Sequence, residues 1–152
     1  MKLSKYVWAE DFRCKCGCGK IMPDDIRQII PDFETIQKIL FGIYDLVAGT
    51  WEISLTSGYR CPVRNQAIGG KPYSPHLWAV AIDFKPKKPE VRQNIIEYLR
   101  KFNDIIRIGH LEYEKTTGHI HIDIVEKIAD ALYEAGRIPL SIRNAYKNVK
   151  EW

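Results

Sequence analysis

At 152 residues, 45% hydrophobic and 28% charged, the chain has the size and composition of one globular domain with a real core, and no second domain is required. Its formal charge of +4 is mild, with local clusters only at Lys85, Lys87 and Lys88 and at Lys147 and Lys150, so electrostatics offers no more than a loose pull toward acidic polymers such as cell-wall material or nucleic acid. No run of about 18 apolar residues and no basic segment leading into an apolar one is present, so neither a membrane span nor a secretory signal is expected.

In chain order, a cysteine-rich loop comes first. The stretch "FRCKCGCGK" at 12–20 sets Cys14, Cys16 and Cys18 at every second position, and Cys61 stands alone in "SGYRCP". A disulfide framework spreads its cysteines, whereas this bunching suggests a metal knuckle or a redox-sensitive loop. Because the spacing departs from C-x-x-C, the favoured expectation is free thiols, or one bond involving Cys61, over a structural zinc. "PDDIRQII" then reads as a short helix. "DFETIQKILFGIYDLVAG" lines up Phe33, Ile36, Ile39, Leu40, Ile43 and Val47 on one stripe before Gly49 stops it.

"WEISLT" alternates Trp51, Ile53 and Leu55 against Glu52, Ser54 and Thr56, as a half-buried strand does. A long loop holding Gly58, Pro62, Gly69, Gly70, Pro72 and Pro75 follows, of a length that is more often functional than idle. "WAVAIDF" resumes a strand with Ala79, Ala81 and Asp83 on one face, and "PEVRQNIIEYLRKF" reads as a helix facing Val91, Ile95, Leu99 and Phe102 inward. "DIIRIGHLEY" and "HIHIDIV" form a hairpin turning through "EKTTG", and "EKIADALYEAG" and "PLSIRNAYKNV" are helical again. The set predicts an α+β fold with a mainly antiparallel central sheet flanked by helices; strand order is not encoded in it.

Chemistry concentrates in two of these stretches. Along "GHIHIDIV" side chains alternate, so His119, His121 and Asp123 share one face and Ile120, Ile122 and Ile124 the other. In "SPHLWAVAID" a carboxylate, Asp83, closes a strand that would bury it, and a buried carboxylate asks for a cation. Together His76, Asp83 and His121 make a three-ligand set for one zinc ion, the N/O donor type that catalytic zinc uses while leaving a position for water.

The motifs "SGYRCPVRN…AIGG…SPHLWAVAIDF…HIHIDI" resemble those of the zinc D-Ala-D-Ala carboxypeptidase and phage endolysin peptidase superfamily, known as peptidase family M15, whose pattern is S-G-[YF]-R, S-x-H-x-x-G-x-A-x-D and a late H-[VI]-D. The likeness runs over Thr56 to Ile124 and more weakly into "WAEDFRCKCGCGK". It implies a Hedgehog/DD-peptidase-like fold, a single domain over 1–152 with its catalytic core at about 51–125 and a helical tail at 126–152, zinc on His76, Asp83 and His121, and Arg60 gripping a substrate carboxylate through paired hydrogen bonds. Ala79 stands where the family has glycine. Gly118 stands where many relatives carry an acidic base, so His119 is expected to manage the proton, with Glu112 and Glu114 as substitutes and His110 a further neighbour of the cleft. Ser74 and Tyr73 are expected at the substrate, Ser57 and Tyr59 as loop-building groups, Trp78 at the groove's edge or in packing, and Asp123 either orienting a histidine or capping the next helix.

The function so implied is a zinc peptidase of bacterial peptidoglycan stem peptides, a D,D-carboxypeptidase or an L-Ala-D-Glu type endopeptidase, endolysin-like and cytoplasmic until released to the wall. It is expected to be a monomer that binds neither nucleic acid nor membrane. The rivals are a non-catalytic wall-binding or structural module on the same fold, and a basic nucleic-acid binder with a zinc knuckle at the cysteines.

Overall fold

The computed structural model describes residues 1–111 and 118–152, and its backbone hydrogen bonds gather the alternating segments into one antiparallel sheet. The helices are α1 (Ala9–Phe12), α2 (Ile26–Ile29), α3 (Phe33–Ala48), α4 (Pro62–Ala67), α5 (Arg92–Leu99), α6 (Ala129–Glu134) and α7 (Leu140–Asn148). The strands are β1 (Ile53–Ser57), β2 (Ala81–Pro86), β3 (Arg107–Leu111) and β4 (His119–Asp123), ordered β1-β2-β4-β3. This is the expected α+β class, and every strand pair is antiparallel.

α3 follows its apolar stripe: Phe33, Ile36, Leu40, Ile43 and Val47 are buried, and Gly49 caps the helix by bonding back to the Asp45 carbonyl at 2.9 Å. Ile39 departs from the stripe and is 42% exposed, because Phe41 and Tyr44 fill the inner face instead. Tyr44 meets Phe84 of β2 edge to face at 5.7 Å, which seats α3 against the sheet. The hairpin of β3 and β4 forms in the register Leu111↔His119; most of its expected turn "EKTTG" lies outside the described residues.

Two expectations need correction. The segment read as one long loop contains α4, begun by Pro62 at its first position with Cys61 as N-cap, and a 3₁₀ turn at Pro75–Trp78. The strand read from "WAVAIDF" begins only at Ala81, because Ala79 adopts φ 58°, ψ 32°. That left-handed conformation ends the 3₁₀ turn, so Ala79 does not share a strand face with Ala81 and Asp83, and it explains why glycine suits the position. The Gln37 side chain of α3 donates to the Ala79 carbonyl at 3.0 Å and holds the turn from below. The helix expected over 89–102 is α5 with a 3₁₀ turn at each end, burying Ile95, Ile96 and Leu99 while Val91 and Phe102 are half-buried.

The sheet has two unlike faces. One carries the apolar residues Ile82, Phe84, Ile108, Ile120 and Ile122, each fully or almost fully buried and each contributing about 1.5–3 kcal/mol. The other runs Ser57, Asp83, His121 and Gly109 in register across all four strands. Behind β3, residues 150–152 pair alongside Ile108 and His110, and Trp152 lies where a side chain at Gly109 would collide, its ring 2.7 Å from the ideal Cβ. Among the described residues no helix is long and apolar enough to cross a membrane.

Gly58, just after β1, has the Phe12 carbonyl and ring 2.4 Å from where a Cβ would stand. Gly58→Ala should therefore destabilise the fold by about 1–3 kcal/mol, whereas Gly42→Ala, in an open and exposed position inside α3, should stabilise it by about 1 kcal/mol; urea midpoints of the two variants check the opposite signs.

Candidate metal centre

The centre is assembled from a turn and two neighbouring strands. Asp83 on β2 is paired in register with His121 on β4, which sets their side chains side by side on the polar face. His76 arrives from the 3₁₀ turn, whose start is capped by the Ser74 hydroxyl accepting from the His76 amide at 3.3 Å. The loop after β1 is tied to that turn, since the Arg60 amide donates to the His76 carbonyl at 3.1 Å.

Two imidazoles converge on a single oxygen. His76 Nε2 lies 3.1 Å and His121 Nδ1 2.7 Å from Asp83 Oδ1, and the ligating atoms of the three residues all fall within 4.8 Å of one another. All three side chains are buried. The ring of His76 is oriented by the Gly58 carbonyl, which is 2.6 Å from Nδ1 and can only accept; Nδ1 therefore carries the hydrogen and Nε2 presents its lone pair to the centre. Buried Nε2 has no hydrogen-bond partner among the described residues. A buried nitrogen so aimed, beside a carboxylate and a second imidazole, fits a divalent cation with N₂O donors.

His121 is oriented from its other side. Its Nε2 is 2.7 Å from Asp123 Oδ2, and Asp123 in turn accepts from Arg107 through Nε at 2.9 Å and Nη2 at 3.0 Å. Asp123 also accepts from the Val125 amide at 3.2 Å, so it both orients the histidine and caps the turn that follows. This carboxylate–histidine arrangement leaves Nδ1 for a metal and raises its basicity. Arg107, stacked over the Trp152 ring at 4.7 Å, was not singled out by the sequence, and its only signal was an arginine two residues before Gly109 in a strand.

The electrostatics shows the need for positive charge here. Burial would raise the Asp83 carboxyl, but His76 and His121 overcome it and hold the group far below the usual carboxylate range. Burial would lower His121, but Asp123 and Asp83 push it up to about 9. A proton on His121 thus supplies positive charge that the two carboxylates demand, and a divalent ion would displace it.

A cleft of about 240 Å³ opens over Asp83, walled by Lys15, Thr56, Ser57, Arg60, Arg64 and His119 among others. Arg60 Nη2 donates to Ser74 Oγ at 3.1 Å, so Ser74 braces Arg60 as well as the His76 turn. His119, half-buried on β4, is held below the ordinary histidine range by burial and by the charge of Lys85, against an opposing pull from Asp83. Tyr59 is buried, with its amide bonded to the Phe12 carbonyl at 2.7 Å. Tyr73 is not among the cleft walls; its carbonyl accepts from Tyr146 Oη at 2.5 Å, and Trp78 donates to the same hydroxyl at 3.1 Å. His110 is not there either, because it pairs in register with Ile120 and its Nε2 reaches Glu151 at 3.1 Å. Glu112 and Glu114 lie outside the described residues.

Against known proteins, the model of the family described as Peptidase M15 matches residues 6–123, a stretch that contains the centre and its cleft. No curated protein and no solved structure matches the chain.

Because Asp123 acts on the metal centre through His121, Asp123→Asn should weaken metal binding about 10–100-fold, measured by competition with a chromophoric chelator on protein shown to be folded by circular dichroism; an unchanged affinity would reduce Asp123 to a capping residue.

Proposed function

The chain belongs to the Peptidase M15 family, a family of metallopeptidases, and from that premise and the geometry of the centre we propose that it is a zinc-dependent peptidase of peptidoglycan stem peptides. The observation that carries the reading is the convergence of His76 and His121 on Asp83, which itself lines a cleft bordered by Lys15, Arg60 and Arg64. A zinc ion held by these three would supply Lewis acidity toward a scissile carbonyl and an acidified water. Lys15, Arg60 and Arg64 favour a substrate with carboxylates, which stem peptides carry along their length and at their ends.

Arg60 has the role of substrate clamp: its guanidinium takes a planar carboxylate through parallel hydrogen bonds, and Ser74 holds it in that posture. His119 accepts a proton at its imidazole and returns it to the leaving amine, which suits a group held below the ordinary histidine range and therefore neutral at pH 7. D,D-carboxypeptidase and L-Ala-D-Glu endopeptidase activities both use this machinery, and both belong to the proposal, as does an endolysin-like release to the wall. One feature favours a non-catalytic wall-binding module instead: Gly118 stands at the place of an acidic base and offers no side chain.

Zinc-loaded protein digested with cell-wall sacculi should release new amino groups, and mass spectrometry of the muropeptides should identify the bond cut. His121→Ala should bring release to background. Binding of sacculi without any release would instead favour the module. Arg60→Lys should raise KM about 10–100-fold with a smaller change in kcat, the worth of one charge-assisted hydrogen bond of about 1.5–3 kcal/mol.

The pH profile tests His119 separately. As a base it works only when neutral, so activity falls as pH drops through its pKa. Lys85→Gln removes a charge that disfavours the imidazolium, which raises that pKa and should move the acid limb of kcat/KM to higher pH; a limb that stays put, or moves down, would remove His119 from the proton transfer.

A further inference from the structure

The four cysteines form a second cluster, separate from the histidine centre. Each of Cys14, Cys16, Cys18 and Cys61 offers one sulfur, and all four sulfurs lie within 4.8 Å of one another. The local sequence brings this about. In "CKCGCGK" the two glycines take positive φ, 92° at Gly17 and 71° at Gly19, and the Cys14 amide closes the loop on the Lys20 carbonyl at 2.9 Å, so that the loop curls. Cys61 joins from the loop after β1, where it caps α4.

Three observations distinguish a ligand set from packing or a disulfide. Cys16 Sγ and Cys61 Sγ are 3.5 Å apart, close to the roughly 3.8 Å between sulfurs on a tetrahedron with metal–sulfur bonds of about 2.3 Å and far beyond a bonded pair at about 2.05 Å. Backbone amides already point at two sulfurs, Cys61 N at Cys14 Sγ (3.3 Å) and Arg64 N at Cys61 Sγ (3.5 Å), the donation that anionic thiolates require. Cys16 and Cys18 are exposed, although free cysteine is among the most buried residue types when packing is its only role.

We propose that Cys14, Cys16, Cys18 and Cys61 bind a structural zinc ion in a closed tetrahedral site, distinct from the metal centre at His76, Asp83 and His121. Soft thiolates in a four-sulfur set select zinc, and four protein ligands leave no position for water, so this ion does no chemistry. Its effect is mechanical. It clamps the loop at 12–20 to the segment that carries Arg60, and thereby fixes Lys15 relative to Arg60 and Arg64, all three of which line the cleft. Lys20 lies close enough to Cys18 and Cys61 for their charges to act on it, which offsets part of the negative charge of the thiolates.

Elemental analysis and cobalt spectroscopy of the full chain test the proposal. Purified protein should carry about two zinc equivalents, falling to about one in the double variant Cys16→Ser/Cys18→Ser and, independently, to about one in His76→Ala/His121→Ala. Cobalt-substituted protein should show a near-ultraviolet sulfur-to-cobalt charge-transfer band that survives in the histidine variant. That band is read on the unsubstituted chain as well, so the test stands even where the cysteine variant fails to fold. A band absent from the unsubstituted chain, zinc content unchanged by the cysteine substitutions, or only two titratable thiols in denatured, unreduced and metal-free protein would overturn it. Failure of the peptidase reading looks different, since the sulfur-bound equivalent would then remain while the histidine-bound one and the muropeptide products would be missing.

Discussion

Everything in the centre answers to one constraint, the burial of the Asp83 carboxylate. Removing that charge from water costs several kcal/mol unless positive charge meets it, and the fold brings two imidazoles to the same oxygen. A second buried carboxylate, Asp123, stands one step further along the face, where the fixed charge of Arg107 meets it on one side and His121 on the other. Two carboxylates and one guanidinium leave a deficit of one positive charge. A proton shared with His121 can fill it, and a divalent cation fills it with charge to spare for the reacting groups of a substrate.

Such a centre needs rigid support, and the division of the sheet into two faces provides it. The apolar face packs against α3 and fixes the strands, so that register alone sets Asp83 beside His121. Small residues flank the ligands on three strands: Ser57 and Ala81 beside Asp83, and Gly109 beside His121, where its missing side chain admits the Trp152 ring. The bulge between Leu55 and Ser57 turns the end of β1, and the Thr56 hydroxyl bonds the Asp83 carbonyl at 3.1 Å across it. Gly58 then passes close under Phe12 and presents the carbonyl that orients His76.

Elements governed by a simple period were legible in the sequence, and elements governed by distant contacts were not. The stripe of α3 and the alternation of "HIHID" each depend on local spacing, and both appear in the fold. Ile39 was misplaced because position on a helix does not tell which neighbours, here Phe41 and Tyr44, claim the inner surface. α4 was hidden by its six-residue length and its flanking glycines and prolines, although Pro62 at its start was a usable signal. Ala79 read as strand because a single left-handed residue leaves no trace in an apolar run. Of the candidate site, Asp83, Arg60 and His119 line the cleft and His76 and His121 converge on Asp83, whereas His110 reaches Glu151 and the Tyr73 backbone is tied to Tyr146. The second role of Asp123 required Arg107, sixteen residues away and visible only once β3 and β4 are paired.

The cleft itself depends on segments that the core does not hold directly. Arg60 is steadied on one side by Ser74 and by the backbone of the His76 turn, and on the other by its covalent neighbour Cys61, which touches Cys14 and Cys16 across the chain. The placement of Arg60 and the geometry of the candidate ligands therefore share a support, because the turn that holds His76 also holds Arg60. A long arginine placed by a free loop would lose several rotatable bonds' worth of entropy on meeting a carboxylate; one anchored at both flanks has lost much of it beforehand. The cysteine loop, which carries Lys15 and meets Cys61 beside Arg60, thus stands where its position and that of the basic side chains around Asp83 are linked.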